Sequence, residues 1–210
     1  MNNIIVLLGA PGCGKGTQSK HILKKYDFGY LSLGDALRAK KDTDLDLQEK
    51  LKQGMLIDSE YINNVLNKEI SILQNDIILL DGYPRKLDQA LYLENKYNVF
   101  VIYFEIDYKL LKDRIINRYT CLDCKEQGYM KNACPNCKSS NIVKRADDNE
   151  ETLLKRLNEY ENNTLEVVSY YKNKLAKDKL FIIKADQGTS EEIFNSQTLP
   201  IILSILKQIS

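Results

Sequence analysis

The chain has 210 residues, 43% hydrophobic and 28% charged, with 30 basic against 29 acidic side chains and a net charge of +1. That length can bury one sizeable core, alone or with small insertions, and the balanced charge gives no overall field to recruit nucleic acid or an anionic membrane. The apolar runs are strand-sized and no basic stretch precedes the first of them, which excludes a signal peptide and a membrane span and leads us to expect a cytoplasmic protein with small-molecule partners.

In chain order, the apolar run Ile4 to Leu8 predicts a parallel strand covered on both faces. It leads into Gly9-Ala10-Pro11-Gly12-Cys13-Gly14-Lys15-Gly16-Thr17 and then a helical pattern over Thr17 to Lys25. A glycine-rich turn between strand and helix lets backbone N–H groups converge at the positive end of the helix. Lys15 adds a mobile cation, so the turn suits a polyphosphate. The spacing fits the P-loop pattern with one departure: Gly16 stands where a Ser or Thr usually follows the lysine, and the hydroxyl comes one residue later, at Thr17. A turn that merely joins strand to helix is the plain alternative. Cys13 is either a small residue that fits the turn or a thiol made modifiable by positive potential. His21, the sole histidine, is read as structural.

Next come a weaker strand candidate, Tyr30 to Leu33, helical patterns over Ala36 to Gly54 (broken around Asp42) and Ser59 to Leu73, and the apolar strand Ile77 to Leu80. Asp81-Gly82-Tyr83-Pro84-Arg85 follows that strand directly. Ligands of open parallel sheets bind at the carboxyl ends of strands, so Asp81 is expected beside the glycine turn, where it can organise magnesium through water. An Asp-Gly turn with a structural arginine is the other reading. A helix over Leu87 to Tyr97, a strand over Val99 to Phe104 and a helix over Tyr108 to Tyr119 follow, then helices over Glu150 to Ala176 and Glu191 to Ile209 flanking a weaker strand, Leu180 to Ile183. Asp107 and Asp148 read as helix N-caps, the latter completing a capping box with Glu151. The alternation predicts an α/β fold, a doubly wound parallel sheet of five strands with helices on both faces.

Two stretches interrupt the alternation. Residues 32–58 place short helical pieces where one crossover would do, and 118–148 carry too little apolar content to form a core unaided. Within the second lie two CxxC pairs, Cys121/Cys124 and Cys134/Cys137. Each pair can grip one ion with two thiolates and together they close a tetrahedral shell, so structural zinc is the direct reading; adventitious iron or a disulfide pair is the alternative. The nine residues between the pairs, 125–133, fall short of the usual separation of roughly 15 to 20. The basic residues are 24 lysines and only six arginines, Arg38, Arg85, Arg114, Arg118, Arg145 and Arg156. The planar fork of arginine suits bidentate phosphate recognition and stacking on a base, so the position of each one is informative.

The segments GAPGCGKGTQ, LSLGDALR, DGYPRKLDQA, DRIINRY, KRADDNEET and KRLNEY contain all six arginines and, in this order, resemble adenylate kinases, nucleoside monophosphate kinases that transfer a phosphoryl group between ATP and AMP. The resemblance implies a magnesium-dependent, reversible conversion of ATP and AMP into two ADP by a P-loop core of residues 1–31, 59–117 and 149–210. It makes 32–58 a mobile monophosphate-binding insertion and 118–148 a zinc-binding lid. It implies that Gly12, Cys13, Gly14, Lys15, Gly16 and Thr17 hold the ATP phosphates, with Arg114 near the base and Arg118 beside the phosphates. By the same resemblance, Arg38 and Arg85 hold the monophosphate, Arg118, Arg145 and Arg156 surround the phosphates in transfer, and Lys15 and Arg85 count with these three as catalytic, the four arginines neutralising charge as it moves. Gly82, Tyr83 and Pro84 belong to the monophosphate side, Met55, Leu56 and Ile57 line the base, and Gln89 hydrogen-bonds its edge. Asp147 and Asp148 resemble the lid-hinge acids. Arg114 and Arg118, four apart, are expected on one helix face. Leu33 stands where the family usually has Thr near the adenine, which removes a hydrogen bond but keeps an apolar wall. AMP is the expected substrate, with CMP, UMP or GMP as the alternatives, and a monomer is the family's usual state. A zinc-ribbon nucleic-acid-binding protein with a nucleotide site is a remote alternative; it would need a basic, aromatic-bearing face, whereas Lys125, Lys131, Lys138 and Lys144 are matched by Asp123, Glu126, Asp147 and Asp148.

Overall fold

The computed structural model describes residues 2–209 apart from 40–46, 48, 51, 52, 54–56, 125, 131, 145–147 and 176. Strand β1 (Asn3–Gly9) leads into helix α1 (Lys15–Leu23), β2 (Gly29–Ser32), α2 (Leu33–Ala39), α3 (Ser59–Ile72) and β3 (Ile77–Asp81). These are followed by α4 (Leu87–Lys96), β4 (Asn98–Glu105) and α5 (Lys109–Ile116), then three short strands, β5 (Arg118–Cys121), β6 (Gln127–Tyr129) and β7 (Ile142–Lys144). The chain continues through α6 (Glu150–Glu159), a π turn (Tyr160–Thr164), α7 (Leu165–Lys174), β8 (Leu180–Lys184), α8 (Ser190–Ile193), a second π turn (Phe194–Thr198) and α9 (Leu199–Ile209).

The main sheet has five parallel strands in the order β2-β3-β1-β4-β8, as the alternating apolar runs predict. β1 lies at its centre, and alternation divides its side chains between two cores. Ile4, Val6 and Leu8 pack with residues of α3, α4 and α7, while Ile5 and Leu7 pack on the other face with Ile22 and with Ile202 and Ile205 of α9. Burial on both faces explains why the run has no polar alternation; each such side chain contributes roughly 1.5–3 kcal/mol. The register pairs Leu7 of β1 with Asp81 of β3, and Asp81 with Ser32 of β2. The ends of these strands therefore meet beside the glycine turn, at the switch point of the strand order. A second sheet is antiparallel, in the order β6-β5-β7. Its buried apolar core is Cys121, Met130 and Cys134.

Three details differ from the sequence expectations. The helix expected over Tyr108 to Tyr119 ends at Ile116, with Asn117 as its C-cap, and Arg118 opens β5. Arg114 and Arg118 therefore do not share a helix face: Arg118, Tyr119 and Thr120 pair in a hairpin with β6, and Tyr119 and Thr120 also with the more distant β7, a pairing that no local periodicity reveals. The cap of α6 is Asn149, whose Oδ1 accepts the Thr152 N–H at 2.9 Å, so the capping box expected from Asp148 and Glu151 does not form. Asp148 is drawn elsewhere, as described below. The last two long helical patterns are each interrupted by a π turn, which leaves apolar periodicity nearly intact. Among the described residues no helix is long and apolar enough to cross a membrane.

Candidate active site

A cleft of about 730 Å³ opens at the carboxyl ends of β1, β2 and β3, lined by the glycine turn and by Tyr30, Arg38, Asp81, Arg85, Arg114, Arg118 and Arg156 among others. The turn needs its glycines. Gly12 adopts φ 81°, and a Cβ there would fall 2.7 Å from Ile115 Cγ1; a Cβ on Gly9 would fall 2.8 Å from the Phe104 carbonyl oxygen. The chain then enters α1 through left-handed Gly14, with no side chain capping that end and no acid in the first turn. The positive end of α1 is thus left for an external anion. Lys15 curls over the turn: its Nζ donates to the carbonyls of Gly9 at 2.8 Å and Ala10 at 3.0 Å and lies 3.4 Å from Cys13 Sγ. Cys13 is buried.

Asp81 stands opposite the turn, one of its carboxylate oxygens 4.0 Å from where a Cβ on Gly16 would lie. A Cβ at position 16 would sit in ordinary van der Waals contact with this carboxylate. Desolvation pushes the Asp81 carboxyl above its ordinary value, against the pull of Lys15 and Arg85. Tyr30, which the sequence reading passed over, shares this corner. Burial, and secondarily Asp81, push its phenol up to about 12, so it stays a neutral donor within reach of Ser19 and Ser32.

Five of the six arginines line this one cleft. Arg145, with Met55, Leu56 and Asp147, lies outside the described residues. Arg38, in the last turn of α2, is paired with Asp35. Arg114 points both Nη atoms at the Ala185 carbonyl, each at 3.3 Å, which ties α5 to the end of β8. Arg118 makes a two-pronged contact with Asp148, Nε to Oδ2 at 2.8 Å and Nη2 to Oδ1 at 2.5 Å, and Arg156 Nη1 lies 3.7 Å from the same Oδ1. Asp148, 1% exposed, is therefore a buried anion between two guanidiniums. Charge-assisted bonds of this kind fix the forks in place, and the two cations partly offset the cost of burying the acid. The attraction explains why the neighbouring Asn149 takes over the cap.

Not every expected residue faces the cleft. Leu33 is 3% exposed and packs in the core with Leu31 and Leu37; Ile57 packs against that same cluster. Neither lines the cavity. Gln89 is 3% exposed and has both amide atoms engaged: Oε1 accepts the Arg85 N–H at 2.8 Å and Nε2 donates to Ser59 Oγ at 3.2 Å. Gly82, Tyr83 and Pro84 do line it, and Tyr83 sends its hydroxyl away from it to Asn63 Oδ1 at 2.6 Å. His21 bonds Ser190 Oγ at 2.9 Å and stacks on Phe194, a structural role as expected.

In the small sheet the sulfurs of Cys121, Cys124, Cys134 and Cys137 all lie within 4.8 Å of one another, with Cys121–Cys137 and Cys124–Cys134 at 3.5 Å. A tetrahedral shell at thiolate–zinc distances needs sulfurs roughly 3.8 Å apart, so this donor set is compatible with one such ion. Asp123 clasps the two knuckles by accepting from Ser139 Oγ and, at 2.9 Å, from Asn141 Nδ2. One ion pair joins the small sheet to α1, Lys20 Nζ to Glu126 at 3.4 Å.

Comparison with known proteins agrees with this geometry. The family model described as adenylate kinase matches residues 7–176. The chain is similar to the adenylate kinase of Rickettsia rickettsii (strain Sheila Smith), 35% identical over 210 residues that cover 93% of this chain and 98% of that protein. It is 39% identical to that of Rickettsia peacockii (strain Rustic) over 90% of this chain and 94% of the relative, and 38% identical to that of Rickettsia akari (strain Hartford) over 81% and 87%.

Proposed function

The chain belongs to the adenylate kinase family, and on that premise we propose how its cleft performs the family's reaction. The enzyme transfers a phosphoryl group reversibly between ATP and AMP, giving two ADP. Such a transfer needs little covalent help from the protein; it is driven by alignment and by neutralising charge as it moves. The observation that carries the division of labour is that Lys15 and five guanidiniums converge on one cleft in a chain of net charge +1.

In this reading the glycine turn from Gly12 to Thr17 and the positive end of α1 hold the ATP phosphates, and Lys15 exchanges its bonds to Gly9 and Ala10 for phosphate oxygens. Arg114, fixed by the Ala185 carbonyl, stands at the ATP base. Arg38 and Arg85 hold the monophosphate, with Gly82, Tyr83 and Pro84 forming the floor beside them. Arg118 and Arg156, oriented by Asp148, and Arg145 from outside the described residues neutralise the group in flight. Met55 and Leu56, outside the described residues, are left as the apolar surroundings of the AMP base, since Leu33 and Ile57 are committed to the core. Magnesium, held through water by Asp81 across from Gly16, would screen the phosphate charge. The four cysteines hold a structural zinc with no open position for chemistry. Residues 118–148 form the lid, whose closure excludes water from the reaction, and 32–58 the monophosphate-binding insertion of a monomeric, cytoplasmic enzyme.

The test is a coupled assay of wild type and Lys15→Met with AMP, CMP, UMP and GMP. Wild type is expected to prefer AMP, and Lys15→Met to lose on the order of 10² to 10³ in turnover while keeping its fold. Near-normal turnover by the variant would remove the role given to Lys15.

A further inference from the structure

We propose that Thr164 is a positioning residue for Arg85, and that the π turn Tyr160–Thr164 exists to deliver it; the inference rests on the reading of Arg85 as a holder of the AMP phosphate. Arg85 emerges from a loop, yet its backbone is clamped on both sides by side chains. Its N–H is taken by Gln89 Oε1 at 2.8 Å, and its carbonyl oxygen accepts from Thr164 Oγ1 at 3.2 Å. The guanidinium is drawn back by Nε donating to the Gly82 carbonyl at 3.0 Å. The two backbone anchors come from different elements, α4 and the π turn, so the loop cannot rock toward either without losing a bond.

Thr164 reaches that carbonyl because the helix is locally widened. The Leu165 N–H bonds the carbonyl of Tyr160, five residues back, in place of the usual four. One extra residue in a turn rotates everything beyond it by about 100° relative to an uninterrupted α-helix. Without it Thr164 would face another direction. The sequence supports the wide turn itself: Asn163 Nδ2 donates to the Glu159 carbonyl at 3.3 Å and to its carboxylate at 3.0 Å, satisfying groups that a π turn strains. The residues at both ends of the turn, Tyr160 and Thr164, are buried and line the cleft. A π turn is rarer than regular helix and is found frequently at functional sites. Here the site it serves is the loop that carries Arg85, some 80 residues earlier in the chain.

The consequence is specific to one substrate. Thr164→Val keeps the volume and β-branching but removes the donor to the Arg85 carbonyl, and with it one of the loop's two side-chain anchors. It is expected to raise KM for AMP by about 5- to 20-fold while KM for ATP stays within about 2-fold, and Thr164→Ser is expected to restore wild-type behaviour. In an Arg85→Met background the Thr164→Val substitution should add nothing, because the two residues act through one group. Equal weakening of both substrates, failure of Ser to rescue, or an additive double variant would overturn the proposal. If Arg85→Met alone leaves KM for AMP unchanged, the underlying role of Arg85 falls instead. Should the valine variant not fold, titration calorimetry of Thr164→Ala and Thr164→Ser with AMP and, separately, with a non-hydrolysable ATP analogue puts the same question, and equal AMP affinity in the two variants would overturn the proposal.

Discussion

The two sheets of this molecule are held by different forces. The parallel sheet is enclosed by apolar side chains on both faces, and β1, β3 and β4 are buried almost end to end. The antiparallel sheet buries Cys121, Met130 and Cys134 as its apolar core, and two of those three are thiols. A core that small does not offset the entropy of ordering its residues, so the proposed zinc on the four sulfurs, with the Asp123 clasp, would supply the rest. It even tolerates a strained residue: Lys138 sits at φ 63°, where a glycine would be at ease, closing the second knuckle with its N–H on the Cys134 carbonyl at 2.9 Å. The difference suits the proposed roles. One sheet fixes the strand ends that carry Asp81 and the glycine turn, while the other, proposed as the lid, has a small apolar core of its own.

Three changes probe this contrast, in order of decreasing effect. Removing the proposed zinc with a chelator withdraws binding free energy on the order of 10 kcal/mol from the small sheet and is expected to melt it while the parallel sheet stays folded; circular dichroism with metal analysis checks this. Leu79→Ala, at a position fully buried on β3, is expected to cost about 2–5 kcal/mol of global stability in denaturant titration without changing metal content. Lys138→Gly relieves the left-handed backbone and is expected to stabilise the small sheet by up to about 1 kcal/mol, visible as a raised midpoint of the small-sheet transition with the main transition unmoved.

The same contrast governs what could be seen in the sequence. The three inner strands of the main sheet were legible because burial on both faces writes itself as unbroken apolar runs, the edge strands β2 and β8 less so because they are only partly buried, and the glycine turn because its backbone geometry demands particular residues. The small sheet's strands were not: Arg118, Tyr119 and Thr120 carry no apolar alternation, and while β6 pairs as a nearby hairpin arm, β7 lies more than twenty residues further along the chain. Asp148 and Asn149 are both competent caps, and only the three-dimensional position of Arg118 and Arg156 decides between them. Gln89 was read for a base edge, but burial beside the Arg85 loop commits its amide to the protein. The π turns were invisible because an added residue shifts the helical stripe without erasing it. The arginines were the most informative residues, since a chain that uses lysine for its surface reserves its few planar forks, and five of them meet in one cleft.

The central claim, that a metal-held lid is carried on an independently stable catalytic core, is tested most directly by amide hydrogen exchange on the full chain before and after metal removal. The amides of β5, β6 and β7 are expected to lose protection while those of β1, β3 and β4 keep theirs. Retained protection in the small sheet of metal-free protein, or simultaneous loss in both sheets, would contradict it.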